Sequence, residues 1–363
     1  IYHYGEEALV LAAAKKLGRP VKWTATRSEA FLSDAHGRDH VTKIELATEK
    51  DGTFIAFRTE TMANVGAYLS NFSTATPTFL HGTLMAGNYT VPHVYVNVKT
   101  VFTNTAPVDA YRGAGRPEAT FSIERVIDMC ARELGMNPVE IRRKNFIQPD
   151  QFPYTTPVAL VYDTGDYDAT MNKALELSDV AGFAARKAES ESRGKLRGLG
   201  INAYIEACGI APSHLVGQLG ARVGLYDAAT VRVNPTGNIS VMVGAHSHGQ
   251  GHETSFAQVV ADMIGIPEEN IDIVHGDTSK NPFGMGTYGS RSGAVGMSAI
   301  SKALDKVEAK AKKLAAHQLE AAESDIVIED GAVKVKGTDK QLLWHELTLG
   351  AYTAHNLPPE MEP

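Results

Sequence analysis

Cysteine is almost missing from this sequence: Cys130 and Cys208 are the only two in 363 residues, and they lie far apart. Two distant thiols build neither a cysteine-ligated zinc site nor an iron–sulfur cluster, so any such centre has to sit on a partner, and the scarcity fits a reducing compartment. Long apolar runs are missing too. The longest, Ala8 to Ala14, falls far short of the roughly 20 residues a membrane helix needs, and no basic-then-apolar leader opens the sequence. There is no block of Lys or Arg; the net charge is −7 and the pI near 6.0, which removes the electrostatic footprint of a nucleic-acid binder. A Gly-x-Ser-x-Gly elbow is absent, as are the Walker and dinucleotide fingerprints.

What is present is a chain of 363 residues, 43% hydrophobic, long enough to bury a large core and to form two domains. Glu6–Leu17 is amphipathic, Gly18 supplies a left-handed cap and Pro20 forbids continuation, which ends a first helix. Val21, Trp23 and Ala25 alternate with polar neighbours as a strand. Ile44/Leu46 and Phe54/Ala56 flank the turn Lys50-Asp51-Gly52 as a hairpin, and Val94, Val96 and Val98 predict a further strand. Ile123, Val126, Ile127, Cys130 and Leu134 form one helical face before Gly135, so Cys130 is expected to be a buried, inert thiol. Pro149, Pro153 and Pro157 mark the stretch from Gln148 to Tyr162 as a linker. The expected domains are therefore 1–160 and 161–363.

The second half repeats the alternation. It predicts a helix around Tyr167–Ser178, strands near Ala203, Val223 and Val231, and a hairpin turning at Pro235-Thr236-Gly237-Asn238. A helix with Phe256, Val259, Val260 and Met263 on one stripe follows, then a strand Ile271–Val274 and a long helix Ser298–Leu319. Helices and hairpins mixed in this way point to an α+β fold.

Three segments share one plan, a glycine-rich loop feeding a helix N-terminus: Arg112-Gly113-Ala114-Gly115-Arg116, Gly249-Gln250-Gly251-His252, and Gly286-Thr287-Tyr288-Gly289-Ser290-Arg291-Ser292. Unpaired N–H groups and the positive end of the helix dipole favour an anion there, and glycine lets the backbone approach it. A single loop of this kind is ordinarily a chain reversal; three together indicate an anionic organic cofactor. His246, His248 and His252 invite a zinc reading, but no acidic or thiolate ligand has fitting spacing, and loop histidines that hydrogen-bond a cofactor or water are favoured. No metal ligand is assigned, and no catalytic base is visible.

Ala110-Tyr111-Arg112-Gly113-Ala114-Gly115-Arg116-Pro117-Glu118-Ala119, followed by the Ile123–Gly135 helix and Asn137-Pro138-Val139-Glu140-Ile141-Arg142-Arg143-Lys144-Asn145, resembles the substrate-side loop and helix of molybdenum hydroxylase large subunits. Gly249 to Gln258, Gly276-Asp277-Thr278 and Gly286 to Ser292 resemble the pterin-binding segment of the same family, which includes xanthine dehydrogenase, aldehyde oxidase and aerobic carbon monoxide dehydrogenase. The resemblance covers essentially the whole sequence. It implies two related α+β molybdopterin-binding domains with the cofactor between them, and a fragment lacking both a preceding glycine-rich segment and a later segment with the catalytic glutamate.

By the same resemblance, Tyr111, Gly113, Ala114 and Gly115 would face the metal and substrate, and Arg112 would be the positive group near developing negative charge. Gly249, Gln250, Gly251, His252, Thr287, Tyr288, Gly289, Ser290, Arg291 and Ser292 would hold the cofactor. That cofactor is expected to be molybdopterin cytosine dinucleotide with molybdenum. The implied reaction is hydroxylation of a carbon centre with water, electrons leaving through a small iron–sulfur subunit and a medium FAD subunit in a cytoplasmic dimer of heterotrimers.

One departure bears on the substrate. In true carbon monoxide dehydrogenases a cysteine of this loop carries copper, whereas here the position is Gly113. The sequence resembles the second form of that large chain, so no copper is expected, and an aldehyde, purine or N-heteroaromatic is expected over CO. Two other classes remain as alternatives: a noncatalytic cofactor-binding or scaffold homologue, and a phosphate-binding module without molybdenum.

Overall fold

A computed structural model describes residues 4–209, 212–218, 222, 224–281, 283–358 and 361. The chain divides into two compact units, Ile1–Glu206 and Ala207–Pro363. The break expected at 160/161 lies inside the first unit. Tyr162 and Met171 are buried in the first unit's apolar core, so packing carries the Pro-rich stretch and the helix after it with the preceding residues.

In the first unit, helices α1 (Gly5–Leu17) and α2 (Arg27–Ser33) precede strands β1 (His40–Thr48), β2 (Phe54–Gly66) and β3 (His93–Phe102). β1 pairs antiparallel with β2, and β2 pairs parallel with β3. α1 stops where expected, Gly18 adopting φ 67°, but none of its residues is buried. The strand expected at Val21–Ala25 does not form; the segment has no ladder partner and Trp23 is exposed. Helices α3 (Arg116–Leu134) and α4 (Pro138–Asn145) follow, then β4 (Tyr154–Thr155), β5 (Val161–Tyr162), α5 (Tyr167–Leu177) and α6 (Phe183–Ser192). α3 lays Ile123, Ile127 and Ala131 onto Phe54, Phe57 and Tyr89. Cys130 is only half-buried at the edge of this core, with Sγ 3.9 Å from Thr48 Oγ1. The α3–α4 corner is locked by Arg142, which donates to Glu124 at 2.8 Å and Asp128 at 2.8 Å, while Tyr89 donates to Glu124.

The second unit opens with α7 (Ser213–Gln218), β6 (Ala229–Val233) and β7 (Ile239–Val243), then α8 (His252–Ile264), β8 (Ile271–Val274) and α9 (Ser298–Leu319). β6 and β7 form the expected hairpin, and β8 joins β7 in parallel, so the sheet repeats the antiparallel-then-parallel pattern of β1–β3. Near Ala203 no strand forms, and Val223 lies outside the described residues. A small antiparallel sheet of β9 (Ile326–Glu329), β10 (Ala332–Val335) and β11 (Gln341–Leu343), followed by α10 (Trp344–Thr353), closes over α9. The core joins Val241, Val243, Phe256 and Val260 to Ile300, Leu304 and Leu314. An apolar cleft of about 680 Å³ between β6, α9 and α10 contains none of the glycine-loop residues. No helix among the described residues is long and apolar enough to cross a membrane. The α+β class read from the mixed elements is the class found.

Candidate functional site

In the first unit the loop before α3 is set by three successive left-handed residues, Gly113 at φ 90°, Ala114 at φ 50° and Gly115 at φ 88°. Gly115 is required by a close approach: a β-carbon there would lie 2.4 Å from the carbonyl oxygen of Thr76. At Gly113 a β-carbon would lie 2.4 Å from Cγ and 2.6 Å from Cδ of Pro117. α3 therefore begins with no side-chain cap; Arg116 N donates to Gly113 O at 3.4 Å and Ala119 N to Gly115 O at 3.1 Å, and Pro117 has no N–H to satisfy. Buried Asp109 anchors the entry to the loop by accepting from Phe72 N at 3.0 Å and Ala110 N at 2.5 Å.

Arg38, which the sequence reading did not single out, clamps the loop from outside. Its guanidinium donates to Arg112 O at 3.0 Å and Tyr111 O at 3.4 Å, pairs with Glu118 at 3.3 Å, and lies 5.5 Å from the Tyr111 ring centroid. Arg38 and Asp39 both have positive φ, 73° and 64°, a backbone state that non-glycine residues hold only when neighbours over-determine it. Gly37 has no room for a side chain, since a β-carbon would meet Tyr111 Cβ at 2.4 Å. Tyr111 and Arg112 are left exposed, with the Arg112 guanidinium 6.0 Å from the Tyr111 ring. Beneath the loop, His81 is fully buried with neither ring nitrogen hydrogen-bonded. Burial, and then the His40 ring beside it, pushes its pKa down to about 4, so the imidazole is neutral.

The second unit brings the other two loops together. Gly251, at φ 77°, is the N-cap of α8 and supplies no side-chain cap. A β-carbon at Gly249, Gly251 or Gly286 would meet nothing within 4 Å, so bare backbone faces open space at φ 99°, 77° and 77°. The N–H of His246 donates to Thr287 Oγ1 at 2.9 Å, and Thr287 Oγ1 lies 3.0 Å from Ser292 Oγ. Ser292 opens a π-helical turn, Ser292–Met297, that runs directly into α9. Gln250 is exposed, its Oε1 accepting from His248 N at 2.5 Å within the same loop. His252 stacks on Phe256, and its buried Nδ1 has no partner; burial, then the nearby His275, holds its pKa below the ordinary imidazole value. Gly289 O accepts from Gly209 N at 3.1 Å, and Ser290 adopts φ 53°.

Arg291 is turned into the protein. It is fully buried and donates to Asp227 at 3.0 Å, to Gly286 O at 2.6 Å, to Tyr226 O at 2.8 Å and to Leu225 O at 3.1 Å, with the Tyr288 ring centroid 5.7 Å away. Its charge is paired internally, although the buried Nε has no partner, and the bond to Gly286 O ties the guanidinium to the start of the 286–292 loop. Asp227, like His275 below, was missed because its partner lies far along the chain and its local sequence carries no motif. Among the described residues no group of three or more His, Cys, Asp or Glu is arranged to hold a metal ion.

Open glycine backbone, an uncapped helix start and an orphaned buried nitrogen on His252 fit a ligand that carries phosphates and hydrogen-bonding edges. Comparison with known proteins agrees. Residues 1–146 and 173–361 match profiles of the molybdopterin cofactor-binding domain. The sequence is 40% identical to the carbon monoxide dehydrogenase large chain of Hydrogenophaga pseudoflava over 358 residues, 96% of this chain and 44% of that one. It is 34% identical to the nicotine 6-hydroxylase large subunit of Paenarthrobacter nicotinovorans, over 92% of this chain and 41% of that one. Quinoline 2-oxidoreductase from Pseudomonas putida 86 superposes with a TM-score of 0.87 at 37% identity, covering 98% of this chain and 46% of that chain. The chain thus spans somewhat under half the length of these relatives. From its sequence and its fold alike, the chain belongs to the molybdopterin cofactor-binding domain family.

Proposed function

We propose that this chain forms the cofactor-binding part of the catalytic large subunit of a molybdenum hydroxylase acting on an N-heteroaromatic ring. The net reaction is R–H + H2O → R–OH + 2e− + 2H+, the electrons passing to a small iron–sulfur subunit and a medium FAD subunit in a cytoplasmic dimer of heterotrimers. The cofactor of this reading is molybdopterin cytosine dinucleotide. When bound, the molybdenum centre supplies the two-electron oxidising chemistry. The chain's own residues bind and orient: the N–H groups around Gly249, Gly251 and Gly286 take the phosphates, and Thr287 and Ser292 shape the loop that receives the pterin. Tyr111 offers an exposed ring against a flat aromatic substrate, and Arg112 a permanent positive charge where negative charge develops on a ring nitrogen.

The observation that carries the choice of substrate is Gly113. A cysteine at that position, which a copper-containing centre needs, would drive its β-carbon into the Pro117 ring and adopt φ near 90°. The likeness to a quinoline oxidoreductase and a nicotine hydroxylase supports the same direction. The test is turnover of quinoline and nicotine by the parent complex in 18O-labelled water, beside CO. Hydroxylated heterocycle carrying one 18O supports the reading. CO oxidation with stoichiometric copper, and no heterocycle turnover, would overturn it.

A further inference from the structure

Four groups on separate stretches of the second unit are joined in one hydrogen-bonded chain. His275, just after β8, places Nε2 2.9 Å from Glu253 Oε1 in the first turn of α8. Its Nδ1 lies 3.2 Å from His246 Nδ1, and the N–H of His246 donates to Thr287 Oγ1. Gly276 makes the approach possible: a β-carbon there would sit 3.0 Å from His246 Nδ1. The start of α8, the end of β8, the loop before α8 and the loop before Ser292 therefore meet at two imidazoles.

We propose that Glu253, His275 and His246 form a proton-dependent latch, His275 being a positioning residue that holds the cofactor loops together with up to one extra proton and releases them with two. The inference rests on the reading that these loops hold the pterin cofactor. A carboxylate only accepts, so His275 Nε2 carries a hydrogen. With both rings neutral, His246 Nδ1–H donates to His275 Nδ1. One added proton goes to His246 Nε2, and the single hydrogen between the two Nδ1 atoms stays, held by either ring, so the bond survives. A second proton puts a hydrogen on each Nδ1, removes the acceptor and sets two cations side by side.

Other charged and titratable groups surround the pair. The His248 ring centroid is 5.1 Å from that of His246. His252 faces His275, His248 and His246 from α8. Asp277, in the turn after β8, is engaged by Ser279 and by Lys280 at 3.8 Å. From the 286–292 loop the Arg291 charge is directed inward onto Asp227. Among these, Glu253 is the one that pairs directly with His275.

The test is pterin retention by the parent holoenzyme after gel filtration, scanned between about pH 5 and 8, where imidazoles titrate. Wild type should lose pterin at the acid end, with retention falling about tenfold per pH unit below the second protonation. His246→Asn should retain pterin at the acid end at least about threefold better, because an amide oxygen stays available as acceptor in every protonation state. A folding defect does not mimic that gain. His275→Leu should lose pterin at all pH values with a flattened profile, while a circular-dichroism melt confirms that the variant is folded. Wild type without any pterin would sink the cofactor reading itself. Wild type with pterin, and identical acid release in both variants, would overturn the latch alone.

Discussion

The loop before α3 and the two loops of the second unit do the same structural job, presenting backbone ahead of an uncapped helix, and are held in different ways. Arg38 fixes the first through two carbonyls, an ion pair and an aromatic face, all with a group that stays charged at any working pH. The second pair is held by an imidazole pair and by Arg291. On the proposed reading, a guanidinium clamp gives the loop before α3 one shape, and an imidazole clamp gives the loops of the second unit a shape that depends on protons. Both regions hold buried charge, Arg291 with Asp227 in the second and Arg116 in the first, but the clamp itself is wholly inside only in the second, since Arg38 is half-exposed.

The largest effect should come from the buried pair. Asp227→Ala leaves the Arg291 charge without its counter-ion and should cost the second unit about 3–5 kcal/mol, read by urea unfolding through Trp344 fluorescence. An equal loss from Arg38→Ala would erase the distinction. In the first unit, His81 stays neutral to about pH 4 when folded, while an unfolded imidazole protonates near its ordinary value of roughly 6.5. The unfolded state thus binds more protons in that window, so stability is full above it and falls by about 3 kcal/mol as pH drops through it. His81→Leu should flatten that slope in a pH-stability series; an unchanged slope would assign acid sensitivity elsewhere. Gly113→Cys should destabilise by about 1–3 kcal/mol through the Pro117 contact and bind no copper in elemental analysis. Arg38→Lys should change overall stability least, by under about 1 kcal/mol, yet raise amide exchange across 111–113, because an ammonium does not span two carbonyls and a carboxylate together.

Much of this was legible. The hairpin at Lys50-Asp51-Gly52, the strand Ile271–Val274 and the helix Ser298–Leu319 follow from local periodicity and turn chemistry, and each forms as expected. The three glycine loops also begin helical segments where their composition placed them. What local signals did not reach are long-range facts. Trp23 alternates like a strand residue yet pairs with nothing, and the packing of Tyr162 and Met171 holds the residues after the prolines to the first unit, while the two family matches fall on either side of the expected division. Arg291 sits in a motif that suggests phosphate, while its real partner, Asp227, lies 64 residues away. Arg38 and His275 were invisible for the same reason: each acts through a partner at a separation no periodicity encodes.

The most direct test is elemental and nucleotide analysis of the parent complex purified with its neighbouring subunits under molybdenum-replete growth. Molybdenum with acid-released CMP and no copper is the expected result. A folded complex without molybdenum would contradict the assignment of these loops to molybdopterin.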